Sequence, residues 1–237
     1  VMKSSIKLLL LIILYSFSSK AQTSEFSIAI EPHTIPGLGG LQAYAKAQSQ
    51  GKWLIVGGRL DGLHRRQPWA TFDVAGNNNQ LLVVDPINNL KWSSPLSSLP
   101  VSIQEQLQST NMEFYQEGDY LYLVGGYGFS GTAGDHITYP NLTAIKVSDV
   151  ILGIINNTVI APFFRQILDQ DLAITGGYMN KIYDDFYITG GQRFDGRYNP
   201  MNNPTFTQTY TNAIRRFQII DNGVNLSVNT VSVTIDS

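Results

Sequence analysis

Asp119-Tyr-Leu-Tyr-Leu-Val-Gly-Gly126 decides the fold, because the chain makes this stretch three times. Lys52-Trp-Leu-Ile-Val-Gly-Gly58 precedes it and Asp185-Phe-Tyr-Ile-Thr-Gly-Gly191 follows. Each copy is a short β-branched and aromatic run with a polar lead-in and a closing pair of glycines. The diglycines Gly57-Gly58, Gly125-Gly126 and Gly190-Gly191 start 68 and then 65 residues apart. Similar strands at a long, nearly constant period imply a repeat architecture. Glycine fits the closing position because it accepts backbone conformations closed to other residues and lets neighbouring backbone approach.

Working outward, each diglycine strand is flanked by further short runs. Leu41–Gln48 reads as a strand before the first copy, with Gln80–Asp85 and Leu90–Ser93 after it. Asn111–Tyr115 and Leu142–Val147 flank the second. Val150–Ile160 completes that unit, with a helical turn over Asp149–Ile155 as the alternative. The third unit runs from Leu172–Thr175 through Phe186–Thr189 to Ala213–Ile220 and Leu226–Ile235. An additional strand is predicted over Glu25–Ile30, ahead of breakers at Pro32, Pro36 and Gly37–Gly40. No stretch carries a sustained helical period, and Gln104–Leu107 reads as one turn. The fold class is therefore all-β, with about three four-stranded units at roughly 41–100, 101–160 and 161–237 behind a lead-in segment at 22–40.

The chain resembles the kelch repeat family, in which a hydrophobic strand ending in a diglycine precedes a strand ending near Asp and then a Trp. Leu54-Ile-Val-Gly-Gly-Arg59, Leu82-Val-Val-Asp-Pro86 and Trp92 carry the resemblance, and it extends from about Leu41 to the C-terminus. Val84 stands where the family usually has Tyr, and no equivalent Trp follows in units two and three. The resemblance implies a β-propeller whose blades are these units. Propellers close with about 4–8 blades, so three imply an incomplete ring. The sequence is then expected to be the N-terminal portion of a longer chain, with a ring of two copies as the alternative. Some kelch-type propellers are oxidases with a copper centre that includes a cysteine-linked tyrosine, and others act on sialic acid anomers.

Composition narrows the chemistry. The 237 residues are 43% hydrophobic and 14% charged, with a net charge of −2. Nothing in that balance suggests a nucleic-acid partner. Cysteine is absent, which excludes disulfides, thiolate metal sites, a cysteine nucleophile and the copper centre just mentioned. No metal and no cofactor are expected. Residues 1–21 read as a signal peptide: Lys3 and Lys7, an apolar Leu8–Leu14, then Ser19-Lys20-Ala21 as a small-x-small cleavage site. The apolar run falls short of the about 20 residues a membrane span needs. The protein is therefore expected to be secreted, or held in the periplasm or cell envelope, without a stable span.

Strands alternate in direction, so the loops after the second and fourth strands of a unit leave from one face. These loops are long, and such loops on a rigid scaffold carry binding. The post-diglycine loops begin alike: Gly-Gly-Arg-Leu-Asp-Gly62, Gly-Gly-Tyr-Gly-Phe-Ser-Gly131 and Gly-Gly-Gln-Arg-Phe-Asp-Gly196. A ligand-binding face is predicted from Arg59, Asp61, His64, Arg65, Trp69, Tyr127, His136, Arg193, Asp195 and Arg197. Forked donors and flat rings suit an anionic or sugar-like ligand or a peptide carboxylate. Asp61 and Asp195 also fit as turn formers in Asp-Gly pairs. A two-histidine metal site from His64 and His136 would lack any fixed ligand spacing. The function that follows is a secreted module binding a protein or carbohydrate. The alternatives are a carbohydrate-active enzyme of mutarotase or epimerase type and a structural domain of a larger surface protein.

Overall fold

A computed structural model describes residues 26–63, 65–201 and 205–235. The chain divides into two units, Val1–Thr34 and Ile35–Ser237. The expected signal peptide lies outside the described residues. In the first unit no strand forms over residues 26–30, contrary to expectation, and Ile28 and Ile30 are exposed. An alternating pattern becomes a strand only where a sheet edge receives it.

Among the described residues the second unit is built from three antiparallel sheets, so the protein is all-β in its framework. In the first, β1 (Ala45–Ser49), β2 (Lys52–Val56), β3 (Gln80–Asp85) and β4 (Leu90–Pro95) lie in chain order. In the second, β5 (Glu113–Glu117) and β6 (Tyr120–Val124) are joined by β9 (Asn141–Lys146) and β10 (Phe164–Leu168). The third sheet holds β11 (Thr175–Ile182), β12 (Asp185–Asp195), β14 (Ala213–Asp221) and β15 (Leu226–Ile235). It also takes in a hairpin, β7 (Tyr127–Ser130) and β8 (Asp135–Thr138), and the short β13 (Thr207–Tyr210). Among the described residues the sheets do not close into a ring.

Alternation along β6 explains why its sequence is apolar without interruption. Leu121 and Leu123 join one core cluster with Leu54, Val56, Leu81 and Val83 of the first sheet. Tyr122 and Val124 join the other, with Phe186 and Ile188 of the third sheet. A sheet covered on both faces shows no polar alternation. β12 differs: Phe186 and Ile188 are buried, whereas Thr189 is exposed.

Two diglycines meet the following sheet in the same way. Gly58 N donates to Ser109 O at 2.9 Å and Gly126 N to Ile174 O at 3.0 Å. A Cβ on Gly57 would lie 2.6 Å from the Ser109 carbonyl oxygen, and one on Gly125 only 1.9 Å from that of Ile174. Residues at the same repeat spacing also link the starts of β1, β5 and β11. Asn111 N donates to Ala43 O at 3.1 Å and Gly176 N to Asn111 O at 3.0 Å. All three residues have positive φ, 55° at Ala43, 55° at Asn111 and 70° at Gly176.

Several expectations need correcting. Val150–Ile160 is not a strand: α2 covers Val147–Ile155, and the second sheet is completed by β10, which carries it to Leu168, beyond the expected boundary at 160. Val147, Val150, Ile151 and Ile154 are buried at helical spacing, a period disguised by β-branched residues. The cap comes from elsewhere in the chain. Asp119 accepts from Ser148 N at 2.9 Å and from Ser148 Oγ at 2.5 Å, satisfying a first-turn donor that no local residue caps. α1 (Val101–Leu107) is likewise longer than one turn, with Ile103, Gln106 and Leu107 buried. Nor does the third diglycine close its strand, since β12 runs through it to Asp195.

Candidate functional site

The three segments that follow the diglycines converge on one cluster of rings. Phe72 comes from the first, Tyr127 and His136 from the β7–β8 hairpin, and Phe194 and Tyr198 from the third. The Tyr127 ring lies 5.0 Å from Phe72, edge-on, and 5.1 Å from Phe194. Tyr198 meets Phe72 at 6.0 Å and Phe194 at 5.5 Å. Edge-to-face contacts of this kind favour a fixed geometry.

Polar contacts tie the same segments together. Tyr127 Oη donates to Gly196 O at 2.9 Å and accepts from Tyr198 N at 2.8 Å. Burial pushes this phenol well above its ordinary value, so it stays protonated. Arg197 reaches back to the first segment, its Nε donating to Thr71 O at 2.7 Å and its Nη2 to Trp69 O at 3.3 Å. His136 Nε2 lies 3.0 Å from Phe72 O, which can only accept, so that nitrogen carries a proton. Burial holds the His136 pKa below its usual value and keeps the ring neutral.

A cavity of about 350 Å³ opens beside this cluster. Phe72, Tyr127, Phe194 and Tyr198 form its aromatic wall, and Asn111, Thr175 and Gly176 come from the starts of β5 and β11. Gln192, Gln208 and Tyr210 complete it. All three repeats therefore contribute. Gln208 Nε2 donates to Gln192 Oε1 across the β12–β13 pair. A larger, adjoining recess of about 590 Å³ holds Arg193, Asp195 and Arg215.

Of the described residues predicted for a binding face, only Tyr127 lines the first cavity. Arg59 is turned inward and just 3% exposed. Its Nε and Nη2 bind Asp61 at 2.8 and 2.6 Å, Nη1 binds Asn77 at 2.8 Å, and Nη2 also reaches Asp73 O at 2.9 Å. Its guanidinium stacks 5.3 Å above Phe72. Arg59 and Asp61 thus hold their own loop rather than a ligand. His136 is buried beneath the cluster, Arg197 is bonded to backbone, and Trp69 and Arg65 are exposed. Arg193 and Asp195 pair with each other in the adjoining recess. His64 lies outside the described residues.

The sequence reading missed Asn111, Gln192, Gln208 and Tyr210. Their signal was faint: neutral side chains at a strand start, directly after a diglycine, and in the return from the third loop. Among the described residues no group of three His, Asp or Glu side chains is arranged to hold a metal ion. No described helix is long and apolar enough to cross a membrane.

No family model matches the chain, and no curated protein matches it. A solved structure described as "Structure of YjhT" is similar with a TM-score of 0.48 and 12% identity. The similarity covers 82% of this chain and 56% of that one, so the chain spans little more than half of that structure's length. A likeness of this size carries no functional information.

Proposed function

We propose that the chain is an exported run of kelch-like propeller blades that binds a ligand on the face where its post-diglycine segments meet. The propeller reading is supported by the hydrogen bonds that Gly176 N donates to Asn111 and Asn111 N to Ala43, which recur at the diglycine period of 68 and then 65 residues. Radial repetition produces such a series of equivalent contacts between the innermost strands of successive blades. Export is supported by the basic, apolar and small-x-small succession of residues 1–21.

One observation carries the binding function: a single cavity of about 350 Å³ is lined from all three repeats. That volume is at the small end of ligand sites, about 300–1,000 Å³. Binding is favoured over catalysis because the described lining consists of amides, hydroxyls, backbone and rings, among which no carboxylate or imidazole stands to move a proton at neutral pH. A fragment screen by ligand-observed NMR, followed by hydrogen exchange, tests the reading. Fragments that bind should slow amide exchange at residues 70–72, 192–198 and 207–210. A screen whose binders protect only other segments, or that finds no binder, overturns it.

A further inference from the structure

We infer that the cavity takes a neutral, hydroxyl-rich ring, a pyranose of a mono- or disaccharide, and not an anionic ligand. This rests on the binding face proposed above and adds the chemical class.

The arginines decide the charge. An anion needs unengaged donors, ideally forked. The Arg59 fork is already taken by Asp61, Asn77 and the Asp73 carbonyl in a buried setting. Arg197 is committed to the carbonyls of Thr71 and Trp69. The neighbouring recess sets Arg193 and Arg215 against Asp195 and Asp171, so its charges balance, and Arg193 is already paired with Asp195. Among the described residues no lysine, arginine, aspartate or glutamate lines the cavity itself.

What does line it matches a sugar. A pyranose has two faces rich in C–H groups and a rim of hydroxyls that both donate and accept. Tyr210, 73% exposed, offers a flat ring at the cavity wall. Because Gln208 Nε2 donates to Gln192 Oε1, the pair keeps Gln192 Nε2 as a donor and Gln208 Oε1 as an acceptor. Gln192 Nε2 lies 3.8 Å from where a Cβ on Gly176 would stand, against the backbone wall of the cavity. A fixed donor beside a fixed acceptor is the complement of two vicinal hydroxyls. The Asn111 amide adds a further donor and acceptor to the lining.

The test is calorimetric titration of the full chain with methyl glucoside, methyl galactoside, methyl mannoside and N-acetylglucosamine, and with N-acetylneuraminate as the anionic counterpart. At least one neutral sugar should bind. Gln192→Ala and Tyr210→Ala should each weaken it tenfold or more while leaving the thermal midpoint unchanged, and Arg193→Ala should leave affinity within twofold. Failure of every neutral sugar to bind overturns the inference. Tighter binding of N-acetylneuraminate, lost in Arg193→Ala, overturns the neutral class while leaving a ligand on the proposed face. A neutral sugar whose affinity is untouched by Gln192→Ala, Gln208→Ala and Tyr210→Ala overturns the face itself, and the inference with it.

Discussion

Gly57-Gly58-Arg59-Leu60-Asp61 and Gly190-Gly191-Gln192-Arg193-Phe194-Asp195 are nearly the same sequence in two places, and the molecule treats them oppositely. Arg59 is 3% exposed and holds its loop from within; Arg193 and Asp195 are 46% and 50% exposed. One inserted residue, Gln192, makes the difference. β12 stays extended as far as Asp195, so side chains alternate, and Arg193 and Asp195 share the outer side while Phe194 turns in to the ring cluster. In the first repeat the arginine itself takes the inward place, against Phe72. A one-residue slip in an extended segment exchanges the two faces. A shared motif therefore fixes the pairing of Arg with Asp but not which of the two repeats uses it in the interior.

The contrast is sharpest at the arginines. Arg59→Ala should destabilise by about 2–3 kcal/mol, because the buried Asn77 and the Asp73 carbonyl lose their charged donor while Asp61 stays partly solvated. Arg193→Ala should cost about 0.5 kcal/mol or less, the worth of an exposed pair. Urea unfolding of the two variants compares them directly, and equal losses would break the distinction.

The glycines extend it. Gly57 and Gly190 have nearly the same φ, 69° and 68°. A Cβ on Gly57 would crowd the Ser109 and Leu107 carbonyls, whereas one on Gly190 meets nothing within 4 Å. Gly190→Ala should cost about 1–2 kcal/mol, the left-handed backbone penalty alone, and Gly57→Ala about 3 kcal/mol. Thermal melts of both variants would settle whether the following sheet is what the first diglycine accommodates.

Glu113 and Tyr178 also hold equivalent positions, opposite Val124 and Thr189 just before their diglycines. Tyr178 is exposed, while Glu113 is buried with one oxygen accepting from Gly177 N at 2.7 Å and the other unbonded. Desolvation raises the Glu113 pKa to about 7, against the Gly177 hydrogen bond and the Arg215 charge, which lower it. A raised carboxyl pKa means the folded state holds the proton more tightly. Stability should then fall as pH rises from the unfolded value near 4.5 through about 7. The drop should reach about 3 kcal/mol, and Glu113→Gln should flatten it. A stability profile that is level over this range in the unsubstituted protein would remove Glu113 from the account.

Tyr127→Phe has the smallest expected effect within the ring cluster. It keeps the packing but removes the Gly196 and Tyr198 hydrogen bonds, and should cost about 1–2 kcal/mol. Faster amide exchange should be confined to residues near Tyr198. Exchange that quickens throughout the third sheet would mean the hydroxyl holds more than this one turn.

Much of the sheet framework could be read from the chain because its signals are local. The apolar run of β6, the tight turn before it and the glycines after it all lie within a few residues. α2 was hidden for the opposite reason. Its Val and Ile residues favour strand, and its first-turn donor is satisfied by Asp119, 29 residues earlier. The polar lead-ins of the three diglycine strands also looked equivalent. In the structure Lys52 pairs with Asp85, Asp119 caps α2, and Asp185 binds Arg216 and Gln218.

The candidate site was legible as a region and not as a set of residues. Arginines and histidines drew attention because their chemistry is conspicuous, yet Arg59, Arg197 and His136 are occupied with the protein's own backbone and carboxylates. Gln192 and Gln208 became candidates only when β13 folded back on β12 and joined their amides. By itself the sequence determined the repeat, the all-β framework and the places where only glycine fits, since each follows from local backbone preference and side-chain alternation. The tertiary structure alone decided which arginine was buried, which aspartate capped a helix and which amides met at a cavity. Those outcomes depend on partners 14 to 29 residues away, and burial converts the same side chain from a free donor into one already satisfied.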